Sequence, residues 1–244
     1  MFNSALKKFK DNYLLMLPFI LINYLISAIT DIISQENVQI TNKYDVLLNG
    51  GGFSGGIDIA VLILIIVSIV LGPLIYCSMG IVCKRAFKEE ERIRFTEVMK
   101  EASHYYFRYL GLSLLILAIV FGLSLGIVFI ALMGPLVLIT PLLMIIMVAF
   151  VIIYEPCGEY LVYYDVSAGQ ALSEGKKIGK KYYLELLGIV ILTSIIGYIM
   201  KKLLQNNLTV NLIASFISIN IQAFLVMFKM NLCHMAFLES EEIY

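Results

Sequence analysis

The chain has little charge and no tryptophan. Only 15% of its 244 residues are charged, whereas 60% are hydrophobic, and the mean hydropathy is +0.90. This composition lies outside the usual range of soluble globular domains. The eighteen basic and eighteen acidic side chains give a formal net charge of zero, which argues against nucleic acid as a partner because that would need a basic surplus. The sequence therefore predicts an integral membrane protein.

Residues that commonly carry chemistry are also scarce. The two histidines, His104 and His234, are not accompanied by a nucleophile motif, a paired-histidine zinc motif or a phosphate-binding glycine loop. The four cysteines form no C-x-x-C pair. We predict that the protein is not an enzyme and has no cofactor, metal or catalytic residue. Three of the cysteines, Cys83, Cys157 and Cys233, leave two alternatives open. Their thiols either converge beside His234 as a soft-metal site or pack as small residues.

Long apolar stretches are abundant. A helical crossing of the hydrocarbon core needs roughly 20 mostly apolar residues, and six stretches satisfy this. They run from Tyr13 to Ile33, Ile59 to Val82, Tyr109 to Met133, Leu136 to Tyr154, Tyr182 to Met200 and Thr209 to Phe228. The predicted fold is all-α: a polytopic membrane protein formed by one domain, residues 1–244, with six transmembrane helices.

The basic residues predict the orientation. Fifteen of the eighteen fall on one side of the six spans, and Lys and Arg accumulate in cytoplasmic loops. We predict a bacterial plasma (inner) membrane protein with both termini cytoplasmic. Anionic lipids at the inner face are the expected lipid partners. Tyrosines are expected to form the interfacial aromatic belt that tryptophan cannot provide.

Similar segments recur three times along the chain. "KKFKDNYLL", "KEASHYYFR" and "KKIGKKYYL" each precede a span, and C-x-x-A-F-x-E occurs at both Cys83 and Cys233. The separation from Lys100 to Cys157 equals that from Lys176 to Cys233. We predict three hairpin repeats with interfacial amphipathic helices, in units of approximately residues 1–93, 94–167 and 168–244. The additional length of the first unit is assigned to a flexible, glycine-rich outer loop, residues 34–56.

One such interfacial helix is predicted over residues 95–110. Its apolar positions recur at helical spacing, so the helix is expected to lie along the lipid headgroups. In the third predicted span, "GLSLG" from Gly122 to Gly126 is a G-x-x-x-G pattern that predicts close packing against another helix.

"AGQALSEGKKIGKKYYLELLGIVIL", residues 168–192, resembles a segment of a diffuse group of bacterial six-span membrane families. One of them is the membrane domain found ahead of the catalytic domain in some glycerophosphodiester phosphodiesterases. The resemblance implies a six-span layout. It implies no phosphodiesterase activity, because the chain has no polar region for a catalytic domain. The resemblance is carried by Ala171, Leu172, Gly175, Lys176, Gly179, Tyr182 and Tyr183.

Polar residues share one helix face in each of two predicted spans. Such groups need partners in hydrocarbon, so both faces are expected to point inward, where they either hydrogen-bond between helices or line a solute path. The candidate residues are Asn23 and Ser27 in the first span and Asn211, Ser215, Ser218 and Gln222 in the sixth. Asn23 is the expected partner of Gln222. Lys229 is expected to extend its amine to the inner boundary, where Glu155 and Glu159 are also expected.

Two functions fit these patterns. The favoured one is a non-enzymatic, multi-pass accessory component that binds a lipid or a membrane-protein partner. The alternative is a small-solute transporter or permease subunit that uses the polar faces of the first and sixth spans. A hydrated cavity between those two spans favours transport, whereas dry packing there favours the binding role.

Overall fold

The computed structural model describes residues 1–48, 59–89, 94–132, 139–203 and 208–241. Every regular element in these ranges is a helix, as predicted. The eight helices are α1 (Phe2–Leu48), α2 (Ile59–Phe87), α3 (Phe95–Leu132), α4 (Thr140–Tyr154), α5 (Cys157–Tyr164), α6 (Ala168–Lys181), α7 (Tyr183–Leu203) and α8 (Leu208–Glu241).

Within the described part of the chain, five helical segments are long and apolar enough to cross a membrane. A helix satisfies the hydrogen bonds of its own backbone, as it must in hydrocarbon, which offers no hydrogen-bond partners. The segments are Phe2–Thr30, Ile66–Phe87, Phe95–Ile130, Thr140–Tyr164 and Val210–Ser240. The pair α6 and α7 meets the same test only when taken together, with a bend of 83° between them. The predicted all-helical class is confirmed for the described residues, and five helices, or six if the bent pair counts as one, could span a membrane by length and composition. These helices fit the predicted multi-pass membrane protein.

The 83° bend makes α6 a helix with a different direction from α7. The Ser167 hydroxyl and the Gln170 side chain form a capping box at the start of α6, which satisfies backbone donors there. At the other end, Tyr182 leaves the helical conformation with φ −107° and ψ 31°. The buried face of α6 is made of small residues and one isoleucine: Ala171, Gly175, Ile178 and Gly179.

The predicted surface helix at residues 95–110 is wrong as a separate element. Helix α3 continues without a break from Phe95 to Leu132. Val98 and Ala102, on the face expected to contact headgroups, are buried in the protein core. Arg85 of α2 forms ion pairs with Glu97 at 3.1 Å and Glu101 at 2.8 Å, so this part of α3 packs on α2.

The basic segments of the chain meet at one end of the bundle. Lys8 pairs with Glu89 at 3.3 Å, and Lys181 of α6 pairs with Glu239 of α8. The Asn231 amide donates to the Met1 carbonyl oxygen at 3.2 Å. We call this region the basic end; it comprises residues 1–16, 75–89, 94–102, 152–182 and 226–240. The side of the membrane that it faces stays a prediction.

The G-x-x-x-G prediction located the close helix contact in the wrong place. A methyl group added to Gly122 or Gly126 would have no described atom within 4 Å. In α6, by contrast, a Cβ on Gly175 would lie 3.0 Å from the Cys157 sulfur, and one on Gly179 would collide with the Ile153 carbonyl oxygen. "GKKIG" of α6 is therefore the segment that needs glycine for close packing.

The hairpin units differ in their details. Helix α1 continues to Leu48, so residues 34–48 are helical and the predicted loop is wrong over that range; residues 49–56 lie outside the described residues. Helix α3 is continuous where α6 and α7 bend, and the helix after α3 is interrupted near Pro156. The three-hairpin repeat stays a prediction.

Candidate functional site

A cavity of about 430 Å³ lies where α2, α3, α4, α5 and α8 approach one another. Helix α8 packs closely on α1, α2 and α5, but it has few close backbone contacts with α3 or α4 among the described residues. The cavity occupies the resulting gap. Its polar lining side chains are Tyr76, Tyr109, Ser113, Tyr154, Glu155, Gln222 and Lys229.

One lysine and two carboxylates form an ion cluster at this cavity. The Lys229 amine lies 2.9 Å from Glu159 Oε1 and 3.2 Å from Glu155 Oε1. The Lys229 and Glu159 side chains are 11% and 3% exposed, whereas that of Glu155 is 41% exposed. Lys229 and Glu159 thus form a buried pair, and Glu155 lies on the accessible side of it. Removing one partner of such a pair leaves an uncompensated charge, which is strongly destabilising.

The interruption between α4 and α5 positions both carboxylates. Glu155 follows the last residue of α4, Pro156 is the N-cap residue of α5, and Glu159 lies in the first turn of α5. Proline lacks a backbone donor and favours such a helix start, and a carboxylate in the first turn is favoured by the helix dipole. Both acids are thereby presented to Lys229 of α8 across the bundle.

Tyr109 closes the cavity on the α5 side. A Cβ on Gly158 would lie 2.7 Å from the Tyr109 hydroxyl oxygen, so this phenol packs directly on the backbone of α5. Any larger residue at position 158 would displace the tyrosine. Tyrosines were expected in the interfacial belt, but the Tyr109 side chain lines the cavity.

Gln222 has a different partner from the predicted one. The Tyr76 hydroxyl donates to Gln222 Oε1 at 2.7 Å, which joins α2 to α8. The structure thus pairs Gln222 with a tyrosine from the second span and not with Asn23, the predicted partner.

The remaining predicted polar residues divide between the interior and the surface. Asn211, Ser215 and Ser27 are half-buried. Ser218 is exposed, so the expectation that the whole polar face of α8 points inward is wrong at that position. Asn220, two residues from Ser218 and absent from the predicted set, accepts a hydrogen bond from the Tyr13 hydroxyl at 2.8 Å.

Lys229 also differs from its expected role. It was expected to extend its amine to the inner boundary, but the residue is 9% exposed and pairs with both acids. Sequence reasoning placed Glu155, Glu159 and Lys229 near the same boundary without joining them. The available signal was the coincidence of opposite charges at the same predicted depth.

The thiols do not form a metal centre among the described residues. All four cysteines are free and buried, and no group of three histidine, cysteine or acidic residues in the described ranges could hold a metal ion. His234 instead contacts the Tyr163 hydroxyl at 2.8 Å and stacks on Phe87. The soft-metal alternative is therefore not supported, and the thiols pack as small core residues.

No protein-family model, curated protein or solved structure matches the chain. The resemblance to the membrane domain of glycerophosphodiester phosphodiesterases stays a prediction.

Proposed function

We propose that this chain is a non-enzymatic, multi-pass membrane component that binds a lipid or similar amphiphile in the cavity between α8 and the helices α3 and α4. The observation that carries the proposal is the cavity itself. Its volume, about 430 Å³, lies in the range of ligand pockets, roughly 300 to 1,000 Å³.

The lining of the cavity matches the two parts of an amphiphile. Glu155 and Lys229 supply charge at one end, whereas Leu112, Ile116 and Leu225 supply apolar walls. Val151, one helical turn from Glu155, lines the cavity and is exposed at the protein surface. Apolar side chains of α3 and α4 are exposed beyond it, including Phe121 and Ile145. A headgroup in the cavity would leave the acyl chains against these apolar surfaces.

Helix α6 supports an orientation with the basic end at the cytoplasmic face of the plasma (inner) membrane. It bends 83° from α7, buries its small residues and exposes Lys177 and Lys180. Basic side chains on a helix at the membrane surface attract anionic headgroups, each with about 1 kcal/mol. In this proposal, α6 holds the basic end against anionic lipids.

The packing of α1 on α8 argues against the transporter alternative, in which a solute path runs between the first and sixth predicted spans. Phe2 and Phe9 both pack on Phe224, with ring centroids 5.3 and 5.7 Å apart. Further along, Tyr24 packs on Phe216 at 5.4 Å. Aromatic rings thus pack at both ends of the described interface between the first and last helices, which supports the binding role.

Native mass spectrometry of the protein extracted in a mild detergent tests the proposal. We expect one tightly retained lipid or amphiphile per chain. Ile116→Trp, which enlarges a side chain on the cavity wall, should remove it. Leu117→Trp is the matched control, because Leu117 is adjacent on α3 but 54% exposed, so this variant should retain the ligand.

Val151→Trp fills the cavity from α4. It provides a second test of the cavity if Ile116→Trp does not fold. Helical content and a monodisperse elution profile establish that each variant is folded. A wild-type protein without a retained amphiphile, or equal retention in the wild type and both folded filling variants, would overturn the proposal.

A further inference from the structure

We infer that the cavity recognises a ligand with an ammonium group, and that Glu155 is the counter-ion of this group. The inference rests on the proposed function and specifies the chemical class of its ligand. The ammonium group belongs either to a lipid headgroup or to a free organic cation, and the experiment distinguishes these sources.

The charges around the cavity do not balance. Lys229 and Glu155 line the cavity, and Glu159 pairs with Lys229 beside it. The two carboxyl groups share one ammonium group, which leaves one carboxyl group in surplus. Because charge is costly in a low-dielectric interior unless it is paired, this surplus favours a cation as the missing component.

The geometry assigns the surplus to Glu155. Lys229 is closer to Glu159, at 2.9 Å, than to Glu155, at 3.2 Å, and Glu159 is almost fully buried. Lys229 is therefore needed to compensate Glu159. Glu155 lines the cavity and is the more exposed of the two acids, so its carboxylate can accept hydrogen bonds from an incoming cation while Lys229 stays with Glu159.

The aromatic lining suits the same cation. Three tyrosines from three different helices border the cavity: Tyr76 of α2, Tyr109 of α3 and Tyr154 of α4. Aromatic faces attract ammonium groups through the ring quadrupole, and this attraction increases when the site is desolvated. An anionic headgroup would instead meet Glu155 with no free cation opposite it among the lining residues.

A competition experiment tests the inference on the full-length protein. The protein is reconstituted with equal amounts of phosphatidylethanolamine and phosphatidylglycerol that carry identical acyl chains. Native mass spectrometry then identifies the one lipid that Ile116→Trp removes. This step distinguishes lipid bound in the cavity from lipid bound at the basic end. We expect the ethanolamine lipid to be enriched about tenfold, since a hydrogen bond to a charged group contributes on that order.

Glu155→Gln keeps the size of the side chain and removes its charge, so it should reduce the enrichment to near one. Glu174→Gln is the matched control, because Glu174 lies on α6 and pairs with Lys177; it should keep the enrichment. Displacement of the bound lipid by millimolar tetramethylammonium would identify a free cation as a sufficient ligand. Resistance to displacement, with the enrichment intact, would identify the lipid headgroup.

Two results would overturn the inference, and they can be told apart. Equal occupancy by both lipids, with loss in Ile116→Trp, contradicts ammonium recognition but leaves the amphiphile site in place. An enrichment that persists in Glu155→Gln contradicts the assigned counter-ion. Absence of any lipid that Ile116→Trp removes would overturn the proposed function itself.

Discussion

The basic end and the opposite part of the bundle both contain many apolar side chains, but they pack them differently. At the basic end, Leu161, Met230 and Leu232 are completely buried. In residues 114–132, 140–148 and 191–199, which we call the exposed half, leucines, isoleucines and phenylalanines are largely exposed, for example Phe129 and Ile145. Apolar character alone therefore does not identify which parts of a membrane helix pack against other helices.

Small and polar residues account for the difference. Lipid is as apolar as leucine, so helices associate through close packing and hydrogen bonds. The basic end has both: Gly175 and Gly179 allow α6 to approach α4 and α5, and Lys229 joins α8 to Glu159. Gly122 and Gly126 of the exposed half have no such neighbours within the described chain. The cavity lies where the packed region gives way to the exposed one.

The largest expected effect comes from removing core volume at the basic end. Leu161→Ala should lower the free energy of unfolding by about 2 to 5 kcal/mol, because it leaves a cavity in a fully packed site. Leu125→Ala is the matched change in the exposed half, where Leu125 is 54% exposed, and should change it by less than about 0.5 kcal/mol. Denaturant titration of the purified protein in detergent provides both values, and similar costs at the two positions would break the comparison.

A second pair of variants adds volume instead of removing it. Gly179→Ala should destabilise the protein by about 1 to 3 kcal/mol, because the methyl group meets the Ile153 carbonyl. Gly126→Ala has open space and should be neutral or stabilise by up to about 1 kcal/mol through higher helix propensity. Thermal unfolding of both proteins measures the difference; a neutral Gly179→Ala would mean that α6 does not pack closely on α4.

The smallest expected effect concerns the hydrogen bond at the boundary between the two regions. Gln222→Leu removes the acceptor of the Tyr76 hydroxyl and should cost about 0.6 to 2 kcal/mol. Ser218→Ala lies one turn away on α8 but is exposed, so it should have little effect. Tyr76→Phe combined with Gln222→Leu sharpens the result, since a shared hydrogen bond predicts that the two costs do not add.

Several features followed from the sequence because they depend on local composition. Runs of about 20 apolar residues can satisfy the backbone in hydrocarbon only as helices, so the all-helical, multi-pass class was predictable. The lysines of "GKKIGKK" and the pattern of its small residues also fit a helix at the membrane surface. The sequence did not indicate that the chain bends before Tyr183 whereas α3 continues through Leu110. The two segments begin with similar polar residues, so both were predicted to start with a separate surface helix.

The candidate site depends on which helices become neighbours. The sequence by itself determined that Lys229, Glu155 and Glu159 lie near one predicted boundary, since each follows an apolar run. Only the tertiary structure brought α8 against α5, so that Lys229 pairs with Glu159 and leaves Glu155 at the cavity. It also gave Gln222 a partner from the second span, Tyr76. Local propensity sets the length and depth of each helix, but packing between distant segments sets which polar groups meet, because a buried polar group is stable only beside its partner.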